Sequence, residues 1–144
     1  MKKIRLCLLA ALVAAVCALG AACGDFAGYD DDGAIVKGSS SSRIMSRETK
    51  TLSSYSLKCD KLDGVLRIKD IKVPENPVFE LTFSFEGGRC KAVLVKDNAV
   101  TVICAGNTEG PVSLTLAAGT YSLRLVAEAA ANVSFTFQYN DYNT

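Results

Sequence analysis

The chain has 144 residues, with 16 Lys and Arg against 15 Asp and Glu, and contains neither His nor Trp. Without His it lacks the commonest general base, the commonest metal ligand and the partner of Ser-His and Cys-His nucleophiles. The composition therefore argues against an enzyme and implies no metal or other cofactor. Balanced charge offers no basic patch for nucleic acid, and stacking platforms for sugars or bases fall to Tyr alone.

Met1-Lys2-Lys3-Ile4-Arg5 is a short basic start, followed by an uninterrupted apolar run from Leu6 to Ala22 and then Cys23. This is the layout of an export signal: charged n-region, apolar h-region, small residues at the cut. The run is short and Ala-rich for a permanent span, which needs roughly 20 strongly apolar residues, so removal of 1–22 is expected. The junction Gly20-Ala21-Ala22-Cys23 resembles a bacterial lipoprotein signal. That resemblance implies lipidation of the Cys23 thiol, with Cys23 as the new N-terminus. Gly20 stands where that family usually has Leu, and ordinary cleavage after Ala22 stays open as the other processing route.

Residues 23–50 read as a flexible tether, carrying Asp30-Asp31-Asp32-Gly33 and Gly38-Ser39-Ser40-Ser41-Ser42. The three aspartates lack the alternating ligands and terminal Glu of a Ca²⁺ loop. Loss of Lys2, Lys3 and Arg5 leaves 13 basic against 15 acidic residues. Residues 51–140 suffice for one small domain.

From Thr51 onward the apolar residues recur with period two. Tyr55, Leu57 and Cys59 alternate with Ser54, Ser56 and Lys58; Phe79, Leu81, Phe83 and Phe85 with Glu80, Thr82, Ser84 and Glu86; Tyr121, Leu123 and Leu125 with Ser122 and Arg124; Val133, Phe135, Phe137 and Tyr139 with Ser134, Thr136 and Gln138. One apolar and one polar face per run is the mark of half-buried antiparallel strands. Turn residues such as Asp63-Gly64, Gly87-Gly88, Asp97-Asn98 and Ala118-Gly119 divide the runs. The reading is all-β: an antiparallel, jelly-roll-like β-sandwich of about eight strands, near 51–60, 64–73, 77–86, 89–96, 99–105, 111–117, 120–128 and 131–139. In 64–73 the phase changes between Ile68 and Ile71, so a bulge is expected near Lys69-Asp70.

Leu114 to Leu125, with its Gly-x-Tyr-x-Leu-x-Leu run, followed by Val133 to Phe137, is similar to the closing strands of extracellular bacterial sandwiches. Pre-peptidase C-terminal domains and small lipoproteins of unknown function are examples. The resemblance covers about 30 residues and implies the sandwich fold, not an activity. Tyr121 is a candidate tyrosine corner, its hydroxyl bonding to nearby backbone; plain core aromatic is the other reading.

With Cys7 and Cys17 in the signal and Cys23 assigned to lipid, Cys59, Cys90 and Cys104 remain. A three-residue loop Lys96-Asp97-Asn98 pairs Val95 with Ala99 and puts Cys90 opposite Cys104 on one apolar face. A Cys90–Cys104 disulfide is therefore expected, with two buried thiols as the alternative. Glu80 and Glu86 share a polar face and read as solvated. Together these features describe an exported lipoprotein, held on the extracytoplasmic side of the cell membrane by its N-terminal lipid. It would be a non-enzymatic binding module for an envelope protein or glycan; the alternative is an assembly accessory of a larger envelope complex.

Overall fold

A computed structural model describes residues 26–140 apart from 39, 52 and 74–77. Cys23 and the signal segment lie outside the described residues. The elements are α1 (Asp32–Lys37), β1 (Ser41–Ile44), β2 (Arg47–Lys50), β3 (Ser54–Val73), β4 (Val78–Glu86), β5 (Arg89–Lys96), β6 (Ala99–Cys104), β7 (Val112–Thr115) and β8 (Gly119–Asn140). The strands form one eight-stranded antiparallel sheet that is not closed into a barrel, an all-β, sandwich-like fold.

Its spine is the pair β3 and β8, of 20 and 22 residues. Each replaces two expected strands. Strands of this length bend, and the bend falls at a register shift between Leu62 and Gly64, opposite Ala130 and Ala127. On one side of this corner, the first half of β3 pairs with the second half of β8, flanked by β2 and by β4 and β7. On the other side, the second half of β3 pairs with the first half of β8, flanked by β5 and β6. The inner faces of both halves join in one core that includes Tyr55, Leu57, Phe83 and Phe135 from the first and Ile71, Leu94, Leu123 and Leu125 from the second. Full burial of each such side chain contributes roughly 1.5–3 kcal/mol. A second shift, between Arg67 and Lys69, restores the inward phase: Leu66 and Ile68 are buried before it, Ile71 and Val73 after it. The bulge expected near Lys69-Asp70 thus sits beside Ile68.

Asp63-Gly64 is the corner rather than a turn. Gly64 has φ +101°, and a Cβ there would lie 2.6 Å from the Ser40 carbonyl oxygen. Asp63 Oδ1 accepts from the Phe26 N–H at 3.1 Å and the Ala129 N–H at 2.9 Å, tying both long strands to the chain's earlier segment.

That segment corrects the expectation of a flexible tether over 23–50: residues 26–38 and 40–50 are built into the fold. Asp31 caps α1, its Oδ1 accepting from the Gly33 and Ala34 N–H groups. This is the local reason for an aspartate there. Tyr29 and Ile35 pack with Val65, Val93, Val95 and Val126 in a second core on the outer face of β5 and β8. β1 and β2 lie end to end along one edge of β3. The count of eight strands is therefore reached by different strands from those expected.

The β5–β6 hairpin also differs from expectation. Its loop has two residues, Asp97 and Asn98, both at positive φ (50° and 61°), the conformation a type I′ turn requires. Lys96 then pairs with Ala99, Val95 with Val100 and Leu94 with Thr101; after a register shift, Ala92 pairs with Cys104. The expected register assumed one buried face. In fact β5 is buried on both, because Tyr29 and Ile35 cover Val93 and Val95.

Candidate functional site

The two outer faces of the sandwich differ in what covers them. Over β5 and the first half of β8 the covering is the 26–38 segment. Arg124, on β8 and buried, donates through Nη1 to the carbonyls of Ile35, Val36 and Gly38 at 2.6, 2.8 and 3.0 Å. Its Nε donates to Ser122 Oγ at 3.1 Å. A cation on the last carbonyls of a helix is favourably placed. Burial draws the Arg124 pKa down from its usual value. Arg89 clamps the same segment, pairing with Asp30 at 2.8 Å and with Glu128. Tyr29 lies under both Arg89 and Lys91, whose charged groups are 4.1 and 4.4 Å from its ring centre. Asp30 and Asp31 thus serve docking and capping. Among the described residues, no His, Cys, Asp or Glu side chains are grouped to hold a metal ion.

Over the other half no described residue covers the outer face. The register aligns its side chains in rows across the strands. Arg47, Lys58, Ser134 and Ser84 form one row; Thr49, Ser56, Thr136 and Thr82 the next; Ser54, Gln138, Glu80 and Ser113 a third. All are exposed or half-exposed. Strands stand about 4.8 Å apart, so a four-strand row spans about 14 Å. The face is polar and rich in hydroxyls.

At the corner end of this face is a recess of about 430 Å³, lined by Met45, Arg47, Lys58, Cys59, Asp60, Asn132, Val133 and Ser134. Its position follows from the edge. β1 and β2 share one register against β3, interrupted only at Met45-Ser46, opposite Cys59 and Asp60. Met45 sits there at φ 52° with 77% of its surface exposed. Asn132 also has positive φ, 47°. Non-glycine residues in this region are uncommon, and such backbone gathers at functional sites. Asn132 Nδ2 donates to Glu86 Oε2 at 2.7 Å, which fixes the amide and leaves its oxygen and second N–H toward other partners.

Arg47 and Lys58 are directly opposed, although like charges across strands are destabilising. Among the described residues neither forms a salt bridge, whereas on the inward side of the same edge Arg43 and Lys50 both pair with Glu48, at 3.4 and 3.0 Å. The inward charges protect an exposed edge from pairing with another sheet. The outward pair, Arg47 on the edge strand and Lys58 beside it, has no acidic partner in a salt bridge among the described residues.

The cysteines stand apart from this chemistry. Cys59, Cys90 and Cys104 are free thiols, and the β5–β6 register puts Cys104 opposite Ala92, not Cys90. The expected Cys90–Cys104 disulfide is absent because the two-residue turn and the register shift between Ala92 and Val93 each move Cys104 one place along β5. Burial pushes the Cys90 thiol up to about 12, with the Cys59 and Cys104 thiols adding to the rise. Burial also raises Cys59. Cys104 Sγ donates to the Gly106 carbonyl at 3.1 Å. Tyr121 does form its corner, its hydroxyl donating to the Ala117 carbonyl at 2.9 Å.

The recess escaped sequence reasoning because it depends on β1 and β2, which fall in the supposed tether. The signal present was Arg47-Glu48-Thr49-Lys50, a short charged run with no Gly or Pro. No protein-family model matches the chain, and no curated protein sequence is similar enough to serve as a relative.

Proposed function

We propose that this chain is an exported, lipid-anchored, non-enzymatic binding module of the cell envelope, and that its open face and corner recess meet the ligand. The observation that carries this reading is the contrast between the two outer faces. One is covered by the chain's own 26–38 segment. Among the described residues the other is uncovered and polar, with an opposed cation pair that forms no salt bridge at the end where Met45 and Asn132 have positive φ. The large apolar residues exposed elsewhere, Val102 on β6 and Val112 on β7, are on different strands from Ile44 on β1 and apart in the chain from Met45, which lies between β1 and β2. This dispersal does not favour a broad apolar docking patch.

Export and anchoring rest on residues 1–23. If Cys23 carries the lipid, the anchor is three residues from Phe26, whose N–H is bound to Asp63. At roughly 3.3–3.6 Å per residue the reach is about 10 Å. The domain would be held close to the bilayer rather than swinging on a long tether.

The test is isolation of the full chain from its native envelope through a C-terminal tag, with intact-mass analysis and identification of co-purifying material. The expected chain begins at diacylglyceryl-modified Cys23. Its co-purifying ligand is lost in Thr136→Trp, which obstructs the face, and kept in Lys72→Ala, on the other half of β3. An N-terminus at Gly24 or beyond refutes the anchor. Equal ligand recovery from both variants refutes the face.

A further inference from the structure

We infer that the corner recess takes a carboxylate-bearing sugar, so that the ligand of the open face is an acidic glycan; this rests on the binding reading above. The lining sorts by chemistry. Arg47 and Lys58 are adjacent cations on neighbouring strands, placed to hold one carboxylate between a planar guanidinium and an ammonium. Binding would relieve the repulsion that their opposition creates. Asp60, Asn132 and Ser134 complete the polar lining. They supply acceptors and donors that suit sugar hydroxyls. Met45, exposed at the rim, gives an apolar surface for ring C–H groups in a recess that contains no aromatic side chain.

The charge balance separates this ligand from others. Two cations and one carboxylate leave the lining with one net positive charge, which matches a monoanionic sugar acid. A phosphate dianion would leave net negative charge next to Asp60. A neutral sugar would leave Arg47 and Lys58 unneutralised. The hydroxyl rows leading away along Ser134, Ser84, Thr136 and Thr82 offer further polar contacts to successive sugars, so affinity should grow with chain length.

The experiment is calorimetric titration of the detergent-solubilised full chain with galacturonic-acid hexamer, neutral galactose hexamer, galacturonate monomer and inorganic phosphate. The expected order places the acidic hexamer at least tenfold tighter than the neutral one, with affinity falling as salt rises. Arg47→Ala and Lys58→Ala should each weaken the acidic hexamer about tenfold and the neutral one several-fold less than that. Arg47→Lys should recover part of the loss. Circular dichroism of each variant confirms folding, and Arg47→Gln or Lys58→Gln replaces the alanine variant at its own position if that fails. Equal binding of acidic and neutral hexamers refutes the acidic-sugar inference and leaves the binding reading standing. Phosphate binding as tightly as the acidic hexamer refutes the sugar and makes the recess a general anion site. Absence of binding to every probe refutes the inference, and the native isolation then decides the binding reading separately.

Discussion

Replacing Arg124 with Ala removes the side chain that fastens the 26–38 segment to the sheet. The Ile35 carbonyl loses its partner in a buried bond, and an orphaned buried acceptor costs about 1–3 kcal/mol. The Val36 and Gly38 bonds are partly buried, so water can replace them at a net cost of about 0.5–1.5 kcal/mol each. Relief of Arg124 desolvation offsets part of this. The expected loss is about 2–4 kcal/mol, which is roughly 30- to 1000-fold in the local opening equilibrium. Hydrogen exchange at the Ile35 and Gly38 amides, bonded to the Asp31 and Ala34 carbonyls at 3.0 and 2.8 Å, should accelerate by that factor, and urea unfolding should report the global share. Arg124→Lys keeps the charge but not the fork and should fall between. Combined with Ile35→Ala, the effect should be less than additive, because either change releases the same segment. A global loss below about 0.5 kcal/mol with unchanged exchange at Ile35 and Gly38 would refute the role given to Arg124.

Gly64→Ala places a Cβ against the Ser40 carbonyl at φ +101° and should destabilise the fold by about 1–3 kcal/mol in urea titrations; a change under half of that lower limit contradicts the corner. Tyr55→Phe keeps the ring but deletes a buried hydroxyl that makes no well-formed hydrogen bond and interacts with the Glu48 carboxylate, so urea titrations should show a change of no more than about 1 kcal/mol in either direction. Stability should fall as pH rises from about 9 toward 12. The folded state keeps Cys90 protonated to about 12 against an ordinary value of 9.0, so its contribution is full below the unfolded value and is lost through that window. The three-unit rise corresponds to at most about 4 kcal/mol. Cys90→Ala should flatten the slope, and an unchanged slope would contradict the burial argument.

Much of the half-buried sheet was legible because alternation is direct: Tyr55, Phe79, Phe83, Leu123 and Phe135 all face the core as their spacing required. The phase break between Ile68 and Ile71 and the Tyr121 corner were also visible locally. What failed shares one physical cause. A strand reads as alternating only when one face meets water. The run Ala92-Val93-Leu94-Val95 was the sign of a strand covered on both sides, and Phe26, Tyr29, Ile35 and Val36 were the residues available to cover it. Ser and Gly enrichment masked them. The hairpin register and the Cys90–Cys104 pairing then followed the wrong assumption. The long strands were cut at Asp63-Gly64 because a corner and a turn call for the same residues, and only the partner strand's matching irregularity at Ala127–Ala130 tells them apart. The recess was invisible for a related reason. Arg47 and Lys58 become neighbours only once β2 is placed on the edge of β3.

The open face is most directly tested by lysine footprinting in the native envelope. Lys58 and Lys72 are both exposed on β3, on opposite sides of the corner. In the purified full chain both should acetylate readily. In the envelope, Lys58 should be protected at least several-fold while Lys72 labels as before, and Thr136→Trp should abolish the difference. Equal labelling of Lys58 in the purified chain and in the envelope would contradict the proposal that this face holds the ligand.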